Sequence, residues 1–154
     1  MGRLASYETG QRVQKILISA LNDHYWKVRA AACGAISNFG TQMAQEGLPI
    51  LLKLMREGNQ SKQVVAETII AMGPQGEAQL IALIKNHTQN SRLLNNNKAK
   101  ECIIKALALS NIENPNIDFV IEALFYAYAK EQNATLRRAA IMSLDILHKK
   151  SQKL

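Results

Sequence analysis

The sequence predicts an all-α protein built from stacked helix pairs, an α-solenoid. Three observations carry that expectation. Apolar residues recur at helical spacing, the pattern returns four times within 154 residues, and glycine or proline stands at the joints. Only three prolines and eight glycines interrupt the chain, which leaves room for long helices.

The repeat is clearest from Val28 to Gly40, which overlays Ser61 to Gly73, Ala99 to Asn111 and Leu136 to His148 without gaps. The starts lie 33, 38 and 37 residues apart. In the first copy Val28, Ala32, Ala35, Ile36 and Phe39 fall on one helical stripe. The stripe recurs as Ser61, Val65, Thr68, Ile69, Met72, then Ala99, Ile103, Ala106, Leu107, Ser110, then Leu136, Ala140, Ser143, Leu144, Leu147. An apolar-periodic segment precedes each copy: Gln11 to Leu21, Leu48 to Met55, Glu77 to Lys85 and Ile117 to Ala129. Each unit is therefore a helix A, a turn and a helix B. Gly40 and Gly73 close B helices, while Pro74 and Pro115 open A helices.

Leu21-Asn22-Asp23, followed by Val28-Arg29, small residues and Ile36, resembles the HEAT-repeat signature, in which an acid ends the turn and a Val-Arg pair opens helix B. The resemblance extends over about residues 11 to 148. The fourth unit keeps Glu131 and Leu136-Arg137; the second and third keep Lys62 and Lys100 but place Arg56 and Leu94 where the acid belongs. Armadillo repeats are the near alternative. Tetratricopeptide repeats fit less well, because the spacing is unequal and their aromatic landmarks are missing. The resemblance implies a right-handed solenoid with units at about 8–40, 46–73, 74–111 and 115–148 in one domain over 1–154. Neither end carries a polar capping face, so a piece of a longer array is expected. Asn86 to Asn97 is a polar insertion expected to form a mobile loop.

Composition excludes several classes. No apolar run approaches the roughly 20 residues of a membrane span, and a soluble, intracellular and cytoplasmic location is expected. Met1-Gly2 through Ser6 fits the myristoylation pattern for Gly2, which a chance start explains as well. Cys33 and Cys102 lie in apolar helical sequence and are expected to be buried free thiols. His24, His87 and His148 fall at turns of different units without a ligand at helical spacing, and no His-Glu dipeptide occurs, so no metal is expected. No phosphate loop, nucleophile elbow or Cys-x-x-Cys is present. Catalysis and cofactors are not expected.

The net charge of +7 raises nucleic acid as an alternative ligand, but it is spread: residues 1–40 and 74–111 carry +3 each, 41–73 none and 112–154 +1. Opposite the stripe, the columns Ala30, Gln63, Glu101, Arg138, then Gly34, Glu67, Lys105, Met142, then Ser37, Ile70, Ala108, Asp145 form no basic row. Only Arg29, Lys62, Lys100, Arg137 is uniformly cationic, at the flank of the stripe. In proteins of the resembling family this cation pairs with the turn acid of an adjacent unit, which makes Asp23, Arg29 and Glu131 candidates for a structural ladder. Lys62, Lys100, Arg137 and Arg138 remain candidates for a partner with an acidic surface, with Lys98 and Lys149 added for nucleic acid. Tyr25 and Trp26, in the first turn, are candidate contact residues of the aromatic type that dominates binding. Phe119, Phe125, Tyr126 and Tyr128 are expected to be mostly core. The function expected is a non-catalytic scaffold that binds another protein.

Overall fold

The computed structural model of the chain describes residues 2–57, 61–85 and 96–153. Apart from its last two residues, the expected Asn86 to Asn97 loop lies outside them, as does His87. The described residues form eight α-helices: α1 (Gly2–Ala20), α2 (Trp26–Ser37), α3 (Ala44–Glu57), α4 (Lys62–Ala71), α5 (Pro74–Lys85), α6 (Asn97–Leu107), α7 (Ile117–Lys130) and α8 (Ala134–Gln152). A 3-10 turn, Gly40–Met43, joins α2 to α3. Gly40 and Gly73 take positive φ angles of 57° and 87°, ending their helices in the left-handed conformation that glycine adopts at least cost. Pro74 is the first residue of α5, where its missing N–H removes no intrahelical bond. α7 starts two residues after Pro115, behind successive Asn turns in which Asn111 Oδ1 accepts from Glu113 N and Asn114 Oδ1 from Asn116 N. Asn96 and Asn133 cap α6 and α8 by accepting from the first-turn amides of Ala99, Thr135 and Leu136.

α1 begins at Gly2, well before the Gln11 the periodicity suggests. Its first turns lie largely against no neighbour, as the exposed Leu4 and Tyr7 show, so no buried stripe marks them in the sequence. α3 likewise starts at Ala44 and carries Pro49 within it.

The even-numbered helices pack in a row, α2 on α4, α4 on α6 and α6 on α8. α3, α5 and α7 pack in a second row across the core. Ile36, Leu51, Met55, Ile69, Leu80, Ile103, Leu107, Leu124 and Leu136 are fully buried between the rows, each contributing roughly 1.5–3 kcal/mol by leaving water. Of the four hydroxyl residues in the B-helix stripes, Thr68 and Ser143 share a column and both reach the preceding B helix. Thr68 Oγ1 donates to Val64 O (2.7 Å) on its own helix and, more weakly, to Cys33 O (3.3 Å) on α2, and Ser143 Oγ donates to Ile104 O (3.1 Å) on α6. Cys33 and Ile104 are aligned positions of the repeat, so these polar residues pin a B helix to the one before it. The column Ser37, Ile70, Ala108, Asp145, expected opposite the stripe, faces the following unit instead, because Ile70 and Ala108 are buried.

α5 meets α4 unusually closely at Gly76, where an added Cβ would lie 1.9 Å from Ile69 O. Beside it, Glu77 is buried, with Oε2 accepting from Asn114 Nδ2 (2.8 Å). The buried Ser110 hydroxyl, which finds no partner of good geometry, lies near this carboxyl. Burial pushes the Glu77 carboxyl above its ordinary pKa, opposed by Ser110 and Asn114.

Two predictions follow from this joint. Gly76→Ala forces α5 away from α4 and lowers stability by about 2–3 kcal/mol, as overpacking does, measured by urea unfolding. A raised folded pKa means that protonation favours the fold, so Glu77 adds stability at low pH and loses it as pH rises through that folded pKa. Glu77→Gln, which retains an acceptor for Asn114, therefore raises the melting temperature at pH values above the folded pKa of Glu77 and flattens the fall in melting temperature as pH rises through it; thermal melts from acid to alkaline pH check it.

Candidate interaction surface

The turn between α1 and α2 is shaped by its own residues. Asp23 Oδ1 accepts the Tyr25 amide (2.8 Å), which closes the turn and positions Tyr25 immediately before α2. Tyr25 is exposed and Trp26 half-buried, with Lys27 Nζ 5.7 Å from the Trp26 ring centroid. This leaves an amphipathic aromatic pair beside a cation at the edge of the stack.

The cationic column has a common geometry. Arg29 Nη1 donates to Asp23 O (2.8 Å) and His24 O (3.1 Å). Lys62 Nζ donates to Met55 O (2.5 Å), and Arg137 Nη1 donates to the carbonyls of Glu131 and Gln132. Carbonyls at a helix end lack intrahelical donors, and a cation there also meets the negative end of the helix dipole. Three of the four cations thus cap the turn or helix that precedes them. Arg29 grips the Asp23 backbone, not its carboxylate, which serves Tyr25. The fourth, Lys100, reaches forward into the next unit, where its Nζ contacts Glu131 Oε1 (3.0 Å) and Oε2 (3.2 Å), both side chains being largely buried.

These bonds sort the sequence candidates. Lys62 and Lys100 are buried, so their ammonium groups face the fold, and burial lowers the Lys62 pKa. Lys100, Glu131 and Arg137 come together at the α7–α8 turn; Asp23, Tyr25, Trp26 and Arg29 at the α1–α2 turn; Lys62 stands alone at the start of α4. Arg138 is exposed in a shallow groove with Glu101, Lys105, Thr135 and Met142, where Glu101 pairs with Lys105 (2.8 Å). Lys149 pairs with Asp145 (2.9 Å). His24 and His148 are exposed, and no cluster of His, Cys, Asp or Glu able to hold a metal occurs among the described residues. Cys33 and Cys102 are buried free thiols, with pKa values raised by burial.

The aromatic expectation for α7 is corrected. Phe119, Phe125 and Tyr128 are 56%, 60% and 44% exposed, because the face of α7 that meets the core is made of Val120, Ala123, Leu124 and Ala127. A second feature absent from the sequence reading is an apolar groove of about 410 Å³ between α7 and α8, lined by Ile112, Ile117, Ile121, Leu144, Leu147 and His148. The signal for both was available in the alternation of small and large residues on α7, since Ala123 and Ala127 mark the side approached by a neighbour. No helix among the described residues is long and apolar enough to cross a membrane.

The Lys100–Glu131 pair supports a prediction. Lys100→Met leaves Glu131 without its cation and lowers stability by about 2–3 kcal/mol, whereas adding Glu131→Leu recovers most of that loss; a double-mutant cycle by chemical denaturation measures the coupling.

Comparison with known proteins gives no match among curated proteins and none among solved structures. A family model described as HEAT repeat matches residues 13–43, from within α1 through the 3-10 turn, so that segment is similar to a HEAT repeat.

Proposed function

We propose that the chain is a right-handed solenoid of four HEAT-type helix pairs, at about 8–40, 46–73, 74–111 and 115–148 in a single domain, acting as a non-catalytic scaffold that binds protein. One observation carries the choice of partner. Tyr25, Phe119, Phe125 and Tyr128 are open to solvent, while each member of the ordered row of cations is bonded to the fold, Lys62 and Lys100 being buried. Aromatic side chains on a rigid helical frame bury large area on docking and lose little conformational freedom. Arg138 and Lys98, both exposed, suit a partner with acidic patches at the rim. Tyr25 and Trp26 form the first contact in this reading, and Arg138 the second.

The rival ligand, nucleic acid, needs a row of free cations, and the column that would supply it is occupied by carbonyls and Glu131. The expected outcome is therefore twofold. The intact chain shows no salt-sensitive binding to nonspecific DNA or RNA at low ionic strength, measured by fluorescence anisotropy. A protein partner captured by the chain binds at least tenfold more weakly to Tyr25→Ala/Trp26→Ala, the size expected when a hot-spot aromatic is truncated. Tight nucleic-acid binding that collapses with salt overturns the proposal.

A further inference from the structure

The neighbouring B helices α6 and α8 pack directly on one another, yet their outward rows leave a groove of about 270 Å³ between them. Glu101 and Lys105 line it from α6, and Thr135, Arg138, Ala139 and Met142 from α8. The repeat alignment sets Glu101 at the level of Arg138 and Lys105 at the level of Met142. Long side chains therefore stand opposite each other at two levels, and the small, buried Ala139 leaves the space between them unfilled.

The charges of the groove are not matched. Glu101 pairs with Lys105 along α6 (2.8 Å), and the hydrogen bond from Lys105 holds its carboxyl below the ordinary range, with Lys98 adding to the effect. Asp145 on α8 is taken by Lys149 (2.9 Å), and Glu67 on α4 accepts from Gln63 (3.0 Å). Arg138 is exposed and, among the described residues, has neither a hydrogen bond nor an ion pair. The groove thus holds one guanidinium whose donors are unused, with exposed Lys98 and Lys105 at its rim.

An apolar contact lies one turn along α8 from this guanidinium, at Met142, which is 53% exposed. Helical residues four apart have Cβ atoms roughly 5–6 Å from each other. Two residues of extended chain rise about 6.6 Å and point to the same side. A segment laid along α8 therefore brings an acidic side chain onto Arg138 and, two residues away, an aliphatic one onto Met142. A carboxylate matches the guanidinium fork with two parallel hydrogen bonds, and a thioether adapts to the shape of an aliphatic neighbour. A doubly charged phosphate fits less well, because the Glu101 carboxylate lines the same groove and repels it more strongly.

We propose that the α6–α8 groove docks an extended acidic segment of a protein partner, a glutamate or aspartate with an aliphatic residue two positions away, its carboxylate on Arg138 and its aliphatic side chain on Met142. This rests on the reading of the chain as a protein-binding scaffold and names the partner chemistry at Arg138.

Titration of the intact chain with the peptide acetyl-Ser-Glu-Ser-Leu-Ser-amide tests it, with the Met142 methyl and Arg138 Nε–H signals followed by NMR to about 10 mM peptide, a range that covers weak binding. Both signals are expected to move together and to saturate. Replacing the peptide's Glu by Gln weakens binding about fivefold, the upper end for an exposed charge pair, and placing Glu and Leu side by side weakens it as well. Arg138→Gln, at an exposed site, binds the Glu and Gln peptides equally, Met142→Ser no longer distinguishes Leu from Ser, and Glu101→Gln tightens binding about threefold by removing the repelling carboxylate. Signals that do not move overturn the proposal, as does equal binding of the Glu and Gln peptides by the unaltered chain. Binding at least tenfold tighter when phosphoserine replaces the peptide's Glu also overturns it, since the groove is then a phosphate site. None of these failures touches the scaffold reading, which the nucleic-acid and Tyr25→Ala/Trp26→Ala measurements decide separately.

Discussion

A helix pair of this size has more apolar surface than its two helices can hide from each other, and the rest of the structure depends on that shortfall. α4 shows it most fully: it packs on α2, α3, α5 and α6, and Val65, Ala66, Thr68, Ile69 and Ile70 are all buried as a result. A helix enclosed on so many sides needs small residues where backbones come close. Ala66 lies between Cys33 and Ile104 in its column, and Gly76 lets α5 reach the Ile69 carbonyl. Close approach in turn requires that the polar groups inside find partners, which Thr68 and Ser143 do on the preceding B helix.

The turns solve a related problem. A helix end leaves carbonyls without donors, and at three turns a cation near the start of the next helix meets them. Arg29, Lys62 and Arg137 do this locally, while Lys100 is diverted to Glu131 and ties α6 to the α7–α8 turn. A net charge of +7 thus says less about ligands than its size suggests, because the column Arg29, Lys62, Lys100, Arg137 is part of the frame. Aromatic and aliphatic side chains are exposed at the first turn and along α7 and α8.

Much of this frame was legible in the sequence. Most of the four B-helix stripes (Val28, which opens the first, is exposed), the glycines that end α2 and α4, the proline that starts α5 and the free thiols are each local consequences of periodicity or backbone geometry. The cationic column was legible too, as a row with equal spacing. Its partners were not: Arg29 bonds a main-chain oxygen, and no residue type announces that its carbonyl will lack a donor.

The sequence by itself determined which faces of each helix are apolar, where the helices stop, and that the units repeat, because these follow from 3.6-residue periodicity and the backbone limits of glycine and proline. The tertiary structure decided which apolar residues are covered. Phe125 and Leu124 are adjacent and both hydrophobic, yet one is exposed and the other buried, since only one side of α7 has a neighbour. Cys33 and Ile141 occupy the same place in the repeat and differ for the same reason. Burial depends on the presence of the next helix, which the residue's own position in its helix does not specify.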